Sequence, residues 1–379
     1  MKILSVDIGT GTQDIFLFDS QLDIENGYKL VLPSPTMIIN RRLRQATHDR
    51  QPVVLTGFTM GGGPSSWAAE NHLRAGLPVF ATPDAARSFN DDLVSVREMG
   101  IQIVSDDEAM QLPNETLRLE LKDFDFETIY KTFEYFGVYL KNLSAVAVAV
   151  FDHGAAPVNI SDRQFRFDYL EARIRAENRL SAFAYRSDRI PKIMTRLQAV
   201  AVTAKNIQAP VVVMDTAPAA VLGASMDPFV MTRSRTIIAN IGNFHTLAFR
   251  LGPTGIEGVF EHHTGLIDKP SLEQYLKALA DGTLKHTDIF NTHGHGAFVY
   301  SDEPLALDHN IIITGPRRNL MKGSGLKPYF AVPFGDMMIA GCFGLLAATA
   351  DVVPELRDEI LASLHGNGGS GTPPWEPEI

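Results

Sequence analysis

A glycine turn eight residues into the chain interrupts two runs that can only be strands. Lys2–Ile8 is rich in Ile, Leu and Val and alternates as a half-buried strand does, and Asp14–Asp19, with Ile15, Phe16, Leu17 and Phe18, predicts its antiparallel return. Between them lies Asp7-Ile8-Gly9-Thr10-Gly11-Thr12-Gln13-Asp14. Gly9 and Gly11 let backbone N–H groups approach an anion closely, Thr10 and Thr12 add hydroxyl donors, and an acid held at a strand end, Asp7, is suited to organising a hydrated Mg²⁺. The plainer reading of the same residues is an ordinary glycine-rich hairpin.

A second turn of this kind follows more than two hundred residues later. Thr236–Leu251 predicts another hairpin, turning at Ile241-Gly242-Asn243-Phe244-His245-Thr246 behind Asn240. Two such turns can face one phosphate chain from two sides. Between them, Ala145–Phe151 is a continuous apolar run of the sort that forms a buried central strand, and it stops at Asp152-His153-Gly154. Val53–Phe58, Gly61-Gly62-Gly63-Pro64, Ser65–Ala75 and Pro78–Ala81 read as strand, turn, helix and strand, a βαβ unit. Helices are expected over 124–136, 165–180, 190–205, 216–224, 269–281 and 337–350, and strands over 210–215 and 311–314. No short internal repeat is visible. The 379 residues suffice for two to three domains and a large core.

Composition removes several functional classes. Asp and Glu (44) outnumber Lys and Arg (34), for a net charge of −10, which argues against a nucleic-acid partner. Cys342 is the only cysteine, so neither a disulfide framework nor a cysteine-ligated cluster can form within one chain. The longest uncharged run near the C-terminus, Met337–Ala350, is too short for the ~20 residues of a membrane span, and Asp7 arrives before a secretion signal could form. A soluble, cytoplasmic protein without a membrane partner is expected, its Gly- and Pro-rich tail, 366–379, disordered.

In order along the chain, these motifs resemble the actin-like ATPase superfamily of sugar kinases, actin and heat-shock chaperone ATPases. Asp7–Asp14 looks like its first phosphate loop and Asn240–Thr246 like its second, although Asn240 stands where an acid is usual and Gly242-Asn243-Phe244-His245 replaces a glycine run. Ala145–Phe151 resembles the first connecting strand. Val211–Gly223, with Asp215-Thr216-Ala217-Pro218-Ala219-Ala220, resembles the acid-containing turn of the chaperones and hexokinases. Ile311–Arg318, with Gly315 and Arg317, resembles the adenosine loop, and Asp336–Ala348, with Ala340, Gly341 and Gly344, the second connecting helix. The Met60–Pro64 loop, Phe151–Gly154, Asn240–Thr246 and His262-His263-Thr264-Gly265 look, more narrowly, like a prokaryotic family labelled "pyruvate formate-lyase activating protein-like". The enzyme of that name is a radical enzyme with a three-cysteine cluster motif, which a chain with Cys342 alone does not contain.

The resemblance implies an α/β fold of two actin-like, ribonuclease H-like lobes around an interdomain nucleotide cleft. The first lobe would span 1–205 with an inserted βαβ unit at about 40–135, and the second 206–365 with its last helix, 337–350, at the junction. It implies ATP and Mg²⁺ as cofactors, with Asp7 holding the metal through water. Gly9, Thr10, Gly11, Thr12, Gln13, Asn240, Gly242, Asn243, His245, Thr246, Gly315 and Arg317 would bind the nucleotide. The activity implied is that of a phosphotransferase or ATPase on a small polar substrate. A nucleotide-gated activator of a partner enzyme, and a metal-dependent enzyme on the same fold, are the alternatives.

The candidate catalytic groups are Asp215, as general base, and Asp152 and His153, as water-orienting groups at a strand end. The competing structural readings are a helix N-cap for Asp215 and a turn before Gly154 for the other two. Gly61, Gly62 and Gly63, ahead of a helix, could bind substrate through free N–H groups. Seven of the eleven histidines fall between His245 and His309. His262, His263, His293 and His295 are candidates for substrate or phosphate contact, and a site of His and carboxylate would also suit Zn²⁺, Mn²⁺ or Fe²⁺. Strand neighbours point to opposite faces, however, so His262 and His263 are poorly placed to share one ion.

Overall fold

The structure is a computed structural model that describes residues 1–366, 368, 369 and 375. The expected disorder of 366–379 therefore falls mostly outside the described residues. The strands are β1 (Lys2–Ile8), β2 (Thr12–Asp19), β3 (Tyr28–Pro33), β4 (Val53–Gly57), β5 (Val79–Ala81), β6 (Gln102–Ile103), β7 (Leu117–Leu121), β8 (Leu143–Val150), β9 (Ala184–Arg186) and β10 (Val211–Asp215). They continue with β11 (Thr236–Ile241), β12 (His245–Gly252), β13 (Gly255–His263), β14 (Gly296–Val299), β15 (Ile311–Thr314) and β16 (Tyr329–Phe330).

Two six-stranded sheets share one plan. The first runs β3-β2-β1-β8-β10-β9 and the second β14-β13-β12-β11-β15-β16. In each, an antiparallel meander (β1-β2-β3, β11-β12-β13) is extended by two strands parallel to its first member (β8 and β10, β15 and β16). This duplicated order makes the fold actin-like, as expected. The edge strands β9 and β14 add antiparallel borders. Central strands buried on both faces must be apolar throughout, and all of Ala145–Val150 has 0% exposure. At roughly 1.5–3 kcal/mol per buried Val, Ile or Leu, such strands carry much of the folding free energy. No helix among the described residues is long and apolar enough to cross a membrane.

The segment between β3 and β8 carries a separate parallel sheet, β6-β5-β4-β7, with its own core around Leu43, Val53, Leu55, Ala69 and Val79. One expected boundary moves. Val211–Asp215, assigned to the second half by a break at 205/206, pairs with β8 in the first sheet, so the change of sheet comes after the helix Thr216–Ala224. Several element limits also shift, and the helix expected over 165–180 spans Asp162–Ala176. The return strand β2 starts at Thr12 rather than Asp14. The helix expected from Ile190 begins at Thr195. The last apolar helix spans Ala340–Val352.

That helix crosses Thr216–Ala224 at backbone contact. A Cβ on Gly223 would overlap the Ala340 carbonyl, and one on Gly344 the Ala219 carbonyl. Gly341 lies against Asp7, whose carboxylate fills the space a side chain would need. The small residues thus bring the two connecting helices together directly behind the first turn.

Candidate functional site

The two glycine turns occupy equivalent places in their sheets and close in the same way. Gly9 N–H donates to the Thr12 carbonyl and Gly242 N–H to the His245 carbonyl, each at 2.9 Å. Ser34 fixes the first turn, its Oγ donating to Thr10 O at 2.6 Å and its N–H to Gly11 O at 3.2 Å. The turns touch: a Cβ on Gly11 would lie 2.6 Å from Asn243 Nδ2. Around this contact opens a cavity of about 290 Å³, lined from the first sheet by Asp7, Gly9, Thr10, Thr12, Asp14, Asp152 and His153. Asn240, Gly242, Asn243, Phe244, His245 and Gly315 line it from the second, and Met60–Pro64 from the inserted unit.

Asp7 and Asp14 stand opposite each other in the β1–β2 register, so their side chains share a face. Asp7 accepts a hydrogen bond from Thr216 Oγ1 at 2.6 Å, while Asp14 Oδ1 is buried without a partner. Burial is the main cause that raises both carboxyls, Asp7 to about 7 and Asp14 to about 8, and repulsion from Asp7 adds to the shift of Asp14. A buried carboxylate pair with a spare oxygen, on the wall of a cavity rimmed by backbone turns, is a donor set that fits a hard cation such as Mg²⁺.

The shifts have a measurable consequence. Both folded pKa values lie above the ordinary 3.8, so the folded state binds more protons between pH 3.8 and about 8. The associated stability is fully present below 3.8 and is lost as pH rises through about 7 to 8. The buried histidines act oppositely, but only below their ordinary value of 6.5. Between pH 6.5 and 9 the melting temperature should therefore fall, Asp14→Asn should flatten the fall, and millimolar Mg²⁺ should oppose it. Glu261, raised by burial to about 7, leaves a slope that Mg²⁺ does not remove. A melting temperature independent of pH and Mg²⁺ in this window would contradict the assignment.

Beyond the turns lies a buried polar cluster. Arg166, on the helix Asp162–Ala176, pairs through Nη1 with Asp215 and through Nε with Glu261 at 3.3 Å, and donates to the Asp152 carbonyl at 3.1 Å. Its guanidinium sits 4.4 Å over the Phe151 ring, whose other stacking partner, His245, lies at 4.0 Å. His153, His245, His263 and His295 pack ring against ring at 4.7–5.7 Å. Burial holds these imidazoles neutral: His153 falls to about 3, and His245 and His295 also lie well below the ordinary value, with Arg166 and cluster histidines adding to the burial, while His263 falls to about 4 through burial, His262 and Arg163.

The expected residues are not all brought together. Asp215 caps the helix Thr216–Ala224 through Ala217 N–H and spends its other oxygen on Arg166. Asp152 lines the cavity, but its oxygens accept from Gly154 N–H at 2.8 Å and Leu197 N–H at 2.9 Å. Gln13 bonds Pro33 O, Thr246 bonds Thr264, and Arg317 is exposed beside the cavity rather than lining it. Both histidine pairs are split, the first by alternation along β13 and the second by the turn before β14. His263 faces the cluster, while His262 stacks on Tyr275 behind the sheet; His295 is buried in the cluster, while His293 sits in an exposed turn with φ 69°. Gly61 N–H is taken by Asp123, which also binds Arg196, and Gly63 receives Phe244, a Cβ there lying 2.5 Å from that ring. Phe244 also meets Trp67 edge to face at 5.4 Å, so the second turn reaches into the inserted unit.

Comparison with known proteins locates the chain. The model of the family described as "Putative pyruvate format-lyase activating enzyme (DUF1786)" matches residues 60–320, more than two thirds of the sequence. The chain belongs to this family. The matched stretch holds the Met60–Pro64 loop, Asp152, the second turn and every histidine of the cluster, and it ends before Cys342. That cysteine is buried, its thiol donating to Asp14 O at 3.1 Å, so the family member offers no cysteine trio for an iron–sulfur cluster. No curated protein matches by sequence. Solved structures similar to it include the ethanolamine utilization protein EutJ from Carboxydothermus hydrogenoformans, at 9% identity over 91% of this chain and 89% of that one (TM-score 0.31). An exopolyphosphatase-like protein follows at 11% over 83% and 65% (TM-score 0.23). A propionate kinase from Francisella tularensis subsp. tularensis stands at 8% over 67% and 56% (TM-score 0.23).

Proposed function

We propose that the cleft binds a nucleoside triphosphate with Mg²⁺, and that the protein transfers or hydrolyses its terminal phosphoryl group, with a small polar molecule as the acceptor. The observation that carries this reading is the meeting of two equivalently closed glycine turns, from equivalent hairpins, beside the Asp7–Asp14 pair. The turns would flank the phosphate chain. Asp7 and Asp14 would hold Mg²⁺, which supplies charge neutralisation at the phosphates. Gly315, whose φ of +94° and contact with Asn240 leave no room for a side chain, would border the nucleoside. Phe244 and the Met60–Pro64 loop would help to exclude water. His153 and His245, neutral and facing the cavity, would orient the attacking hydroxyl or water.

One observation favours a second reading, a nucleotide-gated activator of a partner enzyme: both oxygens of Asp152 and of Asp215 are engaged by the protein, so neither carboxylate is free to act as base. The description of the family points the same way. Phosphate release from Mg²⁺-ATP by the purified protein separates the two. Turnover accelerated by a small hydroxyl- or carboxylate-bearing metabolite, and reduced in His153→Ala as loss of an orienting group would do, supports the catalyst. Tight nucleotide binding without turnover supports the activator.

A further inference from the structure

We propose that His153, His245 and His295 form a three-imidazole site for a divalent transition-metal cation of the Zn²⁺, Fe²⁺ or Mn²⁺ class, separate from the oxygen ligands at Asp7 and Asp14. One ring nitrogen of each histidine lies within 4.8 Å of the others, so small side-chain rotations bring all three to the ~2.0–2.1 Å of a zinc–imidazole bond. The three come from the end of β8 in the first sheet, the start of β12 in the second, and the residue before β14, which makes the convergence a product of tertiary structure rather than of sequence proximity.

Three further observations point to a cation. His245 Nε2 and both ring nitrogens of the fully buried His295 have no hydrogen-bond partner. Buried polar atoms are nearly always satisfied, and unsatisfied ring nitrogens gathered in one cluster are what a ligated ion would satisfy. Second, three buried acids, Asp152, Asp215 and Glu261, gather around Arg166 beside the histidine cluster. Third, the unpartnered Glu261 Oε1 lies 3.9 Å from His295 Nε2, a carboxylate beside a ligand histidine of the kind that orients metal-bound imidazole.

Three protein ligands leave a tetrahedral ion one open position. His153 and His245 line the cavity and His295 does not, so that position faces the cleft and would take water or a substrate oxygen. Imidazole suits borderline metals and carboxylate suits Mg²⁺, so the two sites select different ions.

The test uses the full chain without nucleotide, so its failure and that of the nucleotide reading are distinguishable. Protein stripped with a chelator is titrated with Co²⁺, followed by visible absorption and by elemental analysis after desalting, with Zn²⁺ as competitor. We expect about one equivalent per chain, a tetrahedral-type spectrum abolished by Zn²⁺, and a higher melting temperature with metal. His295→Gln and His153→Gln should each weaken Co²⁺ more than the ~10–100-fold that loss of an outer-shell partner costs. His262→Gln, altered on the opposite face of β13, should bind as the parent does. His153 is only half-buried, so its variant keeps the test open if His295→Gln does not fold. Binding below a tenth of an equivalent, equal loss in His262→Gln, or stabilisation by inorganic phosphate but not by Co²⁺ or Zn²⁺ would each overturn the proposal.

Discussion

Arg166→Met should cost about 3–5 kcal/mol of stability, the range for removing one partner from a buried ion pair. Arg166 is fully buried and is the shared cation of Asp215 and Glu261. Methionine fills much of the same volume, so the loss would come from two carboxylates left without charge compensation, and not from a cavity. Burial already pushes Glu261 up to about 7 in the presence of Arg166. Without the guanidinium it should protonate more readily still, and the variant should recover part of its stability as pH falls from 8 to 6. The double variant Arg166→Met/Glu261→Gln should be more stable than Arg166→Met alone, because the uncompensated charge is gone. Chemical denaturation of the three proteins at two pH values measures this. A single variant within about 1 kcal/mol of the parent, the range of an exposed pair, would show that the buried pairing carries little weight.

Local chemistry made part of this molecule legible from its residues. Strand β8 was readable because six consecutive apolar residues can be buried on both faces only in the middle of a sheet. The two turns were readable because glycine marks places where backbone must approach backbone or ligand. The identity of the two sheets was not readable, since they share strand order and turn closure but no residue pattern. The placing of β10 in the first sheet was not readable for a related reason: it follows the helix Thr195–Thr203 and a short turn, and its partner β8 is about sixty residues back. Strand alternation correctly warned that His262 and His263 could not act together, but it could not say that His245, His263 and His295 of the second sheet would meet His153 from the first. Arg166 and Glu261 were missed. The sole signal was position: Arg166 sits among Phe167, Leu170 and Ile174 on the buried stripe of its helix, and Glu261 shares a strand face with Val259. A charge on an apolar face asks for a buried partner, and only the tertiary structure names it. Asp215 illustrates the reverse: a helix N-cap and a catalytic base have the same sequence, and the geometry shows the cap and the ion pair.

The account rests on Mg²⁺-nucleotide seating between the turns Gly9–Thr12 and Gly242–His245, and Asp7 is the side chain on which that depends most. Its carboxylate touches Thr216 and Gly341 and faces Asp14 across the hairpin, so asparagine keeps the shape and removes the charge. Loss of a carboxylate that holds a metal through water typically weakens the metal ~10–100-fold, and Mg²⁺-ATP affinity in Asp7→Asn should fall by that factor. Metal-free nucleotide should bind both proteins alike. Because burial holds Asp7 up at about 7, the unliganded variant should melt no lower than the parent at pH 8, whereas a purely structural carboxylate would be missed. Calorimetric titration of Mg²⁺-ATP, with and without chelator, into the parent and Asp7→Asn is the direct measurement. Mg²⁺-dependent binding in the parent that is weakened in a variant of unchanged stability is the predicted result; no binding by the parent, or equal Mg²⁺-dependent binding by both, would contradict the account.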